Sequence, residues 1–193
     1  MNMRNIENKK EAEKKSKRNQ WIIGGILIFI MLGSTFGYVM FSSSDEDSNT
    51  EKVQYNGYEF VNQNGFWVTS ISGYDFIFAF NPEQVEKSDA EINLLNTYSG
   101  KVLYFFYESD AASVEIFRNF GNVVLRFQGA CITEENCPED WPIRDCTNNF
   151  ILIKEANESK IYQQDNCVFI EGPRENLTAI TDEFLFKVTG IEN

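Results

Sequence analysis

Four cysteines, Cys131, Cys137, Cys146 and Cys167, are the residues best placed to do chemistry in this chain. They are separated by five, eight and twenty intervening residues. Structural zinc sites draw on paired C-x₂₋₄-C ligands, and thioredoxin-type redox sites use C-x-x-C. Neither spacing is present, so the cysteines are expected to form two disulfides in an oxidising compartment. Three pairings are open. Cys131 and Cys137 flank the acidic stretch ITEEN and could close it as a loop. Cys146 precedes a predicted strand at Phe150, and Cys167 opens another. If those strands are parallel neighbours, their starting ends lie side by side. The favoured pairing is therefore 131–137 with 146–167.

Other chemistry is bounded mostly by what is missing. The chain has no histidine. That removes Ser-His-Asp and Cys-His hydrolysis, His-ligated zinc and the commonest general base. Carboxylate-pair or Lys- and Tyr-based chemistry stays formally open. Asp45-Glu46-Asp47 and Glu134-Glu135 with Glu139-Asp140 are carboxylate clusters, but the EF-hand pattern that would make calcium ligands of them is lacking. They read as solvated acidic segments. Asn157-Glu-Ser159 and Asn176-Leu-Thr178 match the N-glycosylation acceptor pattern. No phosphate-binding glycine loop, nucleophile elbow or Walker pattern occurs. No catalytic residue, metal ligand or cofactor is assigned.

The elements that must position these residues lie between Val53 and the C-terminus. Tyr58–Val61 and Phe66–Ile71 are rich in aromatic and β-branched residues, and Asn64-Gly65 between them signals a hairpin. Ser72-Gly73 turns the chain into a third strand, Tyr74–Phe80. Tyr58, Phe60, Phe66, Trp67, Tyr74, Phe76, Phe78 and Phe80 recur at strand spacing, as core residues of a meander would. Asn81-Pro82 ends this meander and could start a short helical turn. Asp89–Tyr98 reads as a helix with Ile92, Leu94 and Leu95 inward. Lys101–Tyr107 reads as a central strand buried on both faces. A helix capped by Ser109 or Asp110 runs to Asn119 and stops at Gly121, and Val123–Phe127 follows as a parallel strand. Three strands (Phe150–Lys154, Lys160–Gln163 and Cys167–Ile170) precede a terminal helix between Pro173 and Gly190. Its Leu177, Ile180, Phe184 and Val188 share one face.

Ahead of this domain stand twenty-one uncharged residues, Trp21–Phe41, long enough as a helix to span a hydrocarbon core of about 30 Å. Seven Lys/Arg against three Glu precede it, whereas 43–51 holds only acidic and neutral residues. The positive-inside rule puts residues 1–20 in the cytoplasm. A cleaved signal peptide is the competing reading, but the apolar run is long and lacks an A-x-A-like site. Gly33 and Gly37 form a small-xxx-small pair that could let two such helices associate. Residues 42–52 form an acidic, serine-rich spacer and 53–193 one extracytoplasmic domain. Beyond the tail, 10 basic residues face 26 acidic ones, a charge of −16. Nucleic acid is therefore excluded as a partner.

The stretch YNGYEFVNQNGFWVTSISGYDFIFAFNPEQVE, the PIRDC turn and DNCVFIEG before a terminal helix resemble a set of single-pass, membrane-anchored archaeal proteins with small disulfide-containing ectodomains. The resemblance implies the single-anchor topology and carries no catalytic residue. The expected fold is α/β or α+β: an N-terminal transmembrane helix, then one mixed-sheet ectodomain with flanking helices. The expected function is extracytoplasmic binding, as an interaction module or an accessory subunit of a membrane or cell-envelope complex with a protein partner. A thioredoxin-like or carboxylate-based envelope enzyme is the first alternative. A pilin-like filament subunit is the second, disfavoured because KKSKRNQ before Trp21 lacks a prepilin cleavage site.

Overall fold

Strand β1 (Lys52–Tyr55) opens an antiparallel meander that continues through β2 (Tyr58–Gln63), β3 (Phe66–Ile71) and β4 (Tyr74–Phe78). The computed structural model describes residues 51–135 and 137–192. Three two-residue turns join these strands, Asn56-Gly57, Asn64-Gly65 and Ser72-Gly73, with positive φ at both positions of each. Such turns twist with the strands they connect, and the glycine removes the Cβ clash at the second position. Alternation places Phe60, Trp67, Phe76 and Phe78 on one buried face.

A second sheet follows. It contains β5 (Val102–Tyr107), β6 (Arg126–Gly129), β7 (Phe150–Glu155), β8 (Lys160–Gln164) and β9 (Cys167–Gly172) in the order β6-β5-β7-β9-β8. All neighbours are parallel except β8, which returns antiparallel along β9. Helix α1 (Asp110–Phe120) links β5 to β6, and α2 (Leu177–Val188) closes the chain. Ser109 caps α1 by accepting the Ala112 amide, as its place before the helix predicts.

The two helices lie between the sheets. Phe117 of α1 packs edge-on against Phe105 and Phe127 of the mixed sheet. Phe186 of α2 meets Phe60 and Phe78 of the meander. Phe120 and Phe184 stack across the helix pair at 6.2 Å. Helix α2 is consequently buried around most of its circumference, well beyond Leu177, Ile180, Phe184 and Val188. The architecture is a mixed α+β fold with two sheets and two helices, rather than one mixed sheet with flanking helices.

Residues 89–94 form no helix, and only Leu95–Tyr98 forms a turn of 3₁₀ helix, with Leu94 exposed. Side chains hold this strap open: Ser88 N–H donates to Glu183 and Asn93 N–H to Gln163, each at 2.9 Å or less. Strand β6 begins at Arg126, because the Val123 and Val124 amides still donate to the Phe120 carbonyl beyond α1. β5 is sealed on one face only. Its Leu103 and Phe105 are buried, whereas Tyr104 and Phe106 are half-buried. In the meander, Phe66 and Tyr74, each the first residue of its strand, are exposed. Among the described residues no helix is long and apolar enough to cross a membrane. The span predicted at 21–41, with Gly33 and Gly37, lies outside them.

Candidate functional site

Both helices cover one face of the mixed sheet, so its other face must be closed by something else. Pairing aligns Phe106 with Leu152, Leu152 with Phe169, and Phe169 with Tyr162. These four residues make one row across β5, β7, β9 and β8, and all are half-buried. Tyr162 and Phe169 stack face to face at 4.6 Å, the offset contact such rings favour. The next row is charged: Lys154 pairs with Glu171, and Glu171 with Lys160. The Tyr162 hydroxyl donates to Glu171 at 3.4 Å. Burial and the neighbouring Glu171 carboxylate raise the Tyr162 hydroxyl above its ordinary value.

The cysteine segment covers half of this face. The structure joins Cys131 to Cys137 and Cys146 to Cys167, the pairing favoured from the parallel-strand argument. Phe150 and Cys167 are register partners in adjacent parallel strands, which brings Cys146 to its partner. Cys131 exchanges backbone bonds with the far side of its loop, donating to Pro142 and accepting from Arg144. Trp141 lies over Gly129, where a Cβ would meet the indole at 2.6 Å, and its ring meets Phe106 edge-on. A groove of about 220 Å³ remains between Cys131–Thr133 with Glu135 above and Phe106, Leu152, Tyr162 and Phe169 below. Its lining holds Glu108, Glu135 and Glu171 with Lys154, and Lys160 Nζ stands 4.7 Å over the Tyr162 ring beside it.

The acidic residues of the interior have a different role. Asn119 clamps the free edge of β4: its amide accepts from Ile77 N–H at 2.8 Å and donates to Ile77 C=O at 2.7 Å. Beside it, Asp182 accepts the Phe80 amide at 2.8 Å, with the Glu115 carboxyl facing it. Burial, then the facing Glu115, pushes the Asp182 carboxyl well above the ordinary range. Burial also raises Glu115, against the pull of Arg118. Glu183 accepts the Ser88 amide, and burial with the Glu192 hydrogen bond raises it to about 7. Lys87 bonds Glu192 at 2.9 Å. Burial alone would lower Lys87, but Glu192, Tyr55 and Glu183 together raise it. Asp182 and Glu183 each accept one backbone N–H, while Asp182 Oδ1, Glu115 Oε2 and Glu183 Oε2 have no hydrogen-bond partner among the described residues. These acids dock the helices to the chain between β4 and the strap, and the accepted amides offset part of the cost of burying them.

All four cysteines are in disulfides, leaving no free thiol. Glu134, Glu135, Glu139 and Asp140 sit on the stapled loop, and Asp45-Glu46-Asp47 lies outside the described residues. Among the described residues no group of three His, Cys, Asp or Glu is arranged to hold a metal ion. Asn157, between β7 and β8, and Asn176, before α2, are both exposed. A second cleft, of about 550 Å³, separates the strap from β8 and the start of α2. Sequence reasoning missed the half-open row Phe106–Leu152–Phe169–Tyr162. Its signal was there in β7, whose outward residues end in Lys154 while its inward Ile151 and Ile153 stay apolar.

Compared with known proteins, the chain matches no family model, no curated protein and no solved structure.

Proposed function

We propose that this chain is a membrane-tethered binding module. The Trp21–Phe41 helix holds it in the bilayer, and the domain beyond residue 52 works on the non-cytoplasmic side. Its docking face is the outer row of the mixed sheet, and its occupant is a protein segment with an apolar anchor flanked by basic residues. One observation carries this reading: Phe106, Leu152, Phe169 and Tyr162 stay half-open beneath a loop fixed by both disulfides. Small recognition sites pair such an apolar floor with a few polar groups on the rim. Here the rim holds Glu108, Glu135 and Glu171 against Lys154. Charge complementarity therefore selects a cationic partner. The interior carboxyls serve the fold and the cysteines are oxidised, so neither set supplies a free reacting group to this face.

The test uses the purified full chain in detergent. Short peptides carrying one leucine between lysines, and the same peptides with glutamates, are titrated against it. Binding of the lysine series alone, abolished by Leu152→Asp, is expected. Equal binding of both series, or full retention by the Leu152→Asp protein, would refute the assignment. Crosslinking from position 152 in native membranes then identifies the physiological partner.

A further inference from the structure

We infer that Asn157 and Asn176 both carry N-linked glycans, and that the two glycans stand over the cleft between the strap and the β8–α2 end of the domain. This rests on the non-cytoplasmic placement proposed above. Both asparagines begin an acceptor triplet, with Ser159 and Thr178 in the third positions. Acceptor triplets are common by chance, so the structural setting decides. Asn56, Asn81, Asn119 and Asn149 use their side-chain amides to hold the fold. Asn157 and Asn176 do neither: both are exposed, and their amides are not engaged among the described residues. Asn176 occupies the residue before α2, where an asparagine ordinarily accepts a helix amide, yet its side chain makes no capping bond. A free exposed amide can carry a bulky sugar without disturbing the packing beneath it.

The two triplets converge although nineteen positions separate their asparagines, by subtraction of 157 from 176. Ser159 and Asn176 line the same cleft, with Lys160 and Ile161 of β8, Ile180 of α2, and the strap opposite. Gly172 shows how closely these parts approach: a Cβ there would meet Ile180 at 2.3 Å and Ser159 at 3.5 Å. In each modification the asparagine Nδ2 bonds to the anomeric carbon of a lipid-diphosphate-linked oligosaccharide. The lipid diphosphate leaves with the bonding pair, and the amide loses one proton to the transferase. This cleft of about 550 Å³ is thereby closed to proteins, while the row on the opposite face of the mixed sheet stays open.

The full chain would be translated into glycosylation-competent microsomes and treated with an endoglycosidase. Two mobility steps are expected, with Asn157→Gln and Asn176→Gln each removing one and the double variant removing both. Ser159→Ala and Thr178→Ala should reproduce those losses while leaving the asparagines intact. In the sealed microsomes, added protease reads topology separately. A protected domain without two glycosidase-sensitive steps overturns the glycan inference and leaves the topology standing. A digested domain overturns the topology and the glycans with it. Coverage of the cleft has its own readout: trypsin should cut after Lys87, which lines it, several-fold more slowly in the glycosylated chain than in the double variant. Equal rates would overturn the coverage.

Discussion

Asn119 illustrates how much one side chain can decide in this fold. A β-sheet edge presents unpaired N–H and C=O groups, and burying them without partners costs free energy. Asn119 supplies both complements to Ile77 from the last turn of a helix. Asn119→Ala leaves those backbone groups unpaired and should destabilise the protein by about 2–3 kcal/mol, read from urea unfolding. Glu183 makes a second prediction at this scale. Its folded value is about 7 against an ordinary 4.5, so the folded protein retains a proton that the unfolded chain has released between those limits. The associated stability is full below pH 4.5 and is lost as pH rises through 7. The groups facing it are Lys87, Lys187, Glu192 and the Ser88 amide. Glu183→Gln keeps an acceptor for Ser88 and should flatten the decline over that window. The difference in slope is at most about 1.4 kcal/mol per pH unit. Unfolding free energies measured from pH 4.5 to 8 check this, and parallel curves for the two proteins would refute it.

The disulfides act at the scale of elements. Cys146–Cys167 closes a separation of 21 residues and ties the end of the loop to β9. Replacing both by serine should cost about 3 kcal/mol on the loop-entropy account. Cys131–Cys137 spans only 6, so its replacement should cost about 2 kcal/mol and act mainly on the groove it roofs. The first pair of substitutions is expected to shift the unfolding midpoint more, and the second to weaken lysine-peptide binding more. Much of this level was legible beforehand. Asn64-Gly65 and Ser72-Gly73 mark their turns because few residue pairs tolerate that backbone, and the strands at Phe66, Lys160 and Cys167 start where the pattern begins. What failed depended on distant residues. β1 is four residues long and gains its identity only from pairing with β2. The strap at 89–94 has helix-compatible residues, but Gln163 and Glu183, remote in sequence, hold the amides of Asn93 and Ser88. The half-open row could not be read from β5 alone, because an apolar strand looks the same whether one face or both are sealed.

At the scale of the whole molecule, charge and topology combine. The basic residues of the tail precede the apolar span, and the 26 acidic residues follow the tail. An acidic domain repels anionic headgroups, which favours a docking face turned to proteins in the aqueous phase rather than to lipid. The row across the mixed sheet supplies the apolar anchor, while the stapled loop adds Glu135 above it. Exposed rim charges act chiefly on the association rate, and salt screens them beyond about 8 Å at physiological ionic strength. The apolar floor acts chiefly on dissociation. The two contributions should therefore separate in binding kinetics. Raising salt should slow association of a lysine-flanked peptide and leave its dissociation nearly constant. Lys154→Glu reverses a rim cation and should speed association at low salt. Phe169→Ala empties the floor beside Tyr162 and should speed dissociation with association little changed. Surface-immobilised full chain, titrated with the peptide at several salt concentrations, yields both rates. If salt altered dissociation as strongly as association, the floor would not be the anchor, and binding at this face would be electrostatic alone.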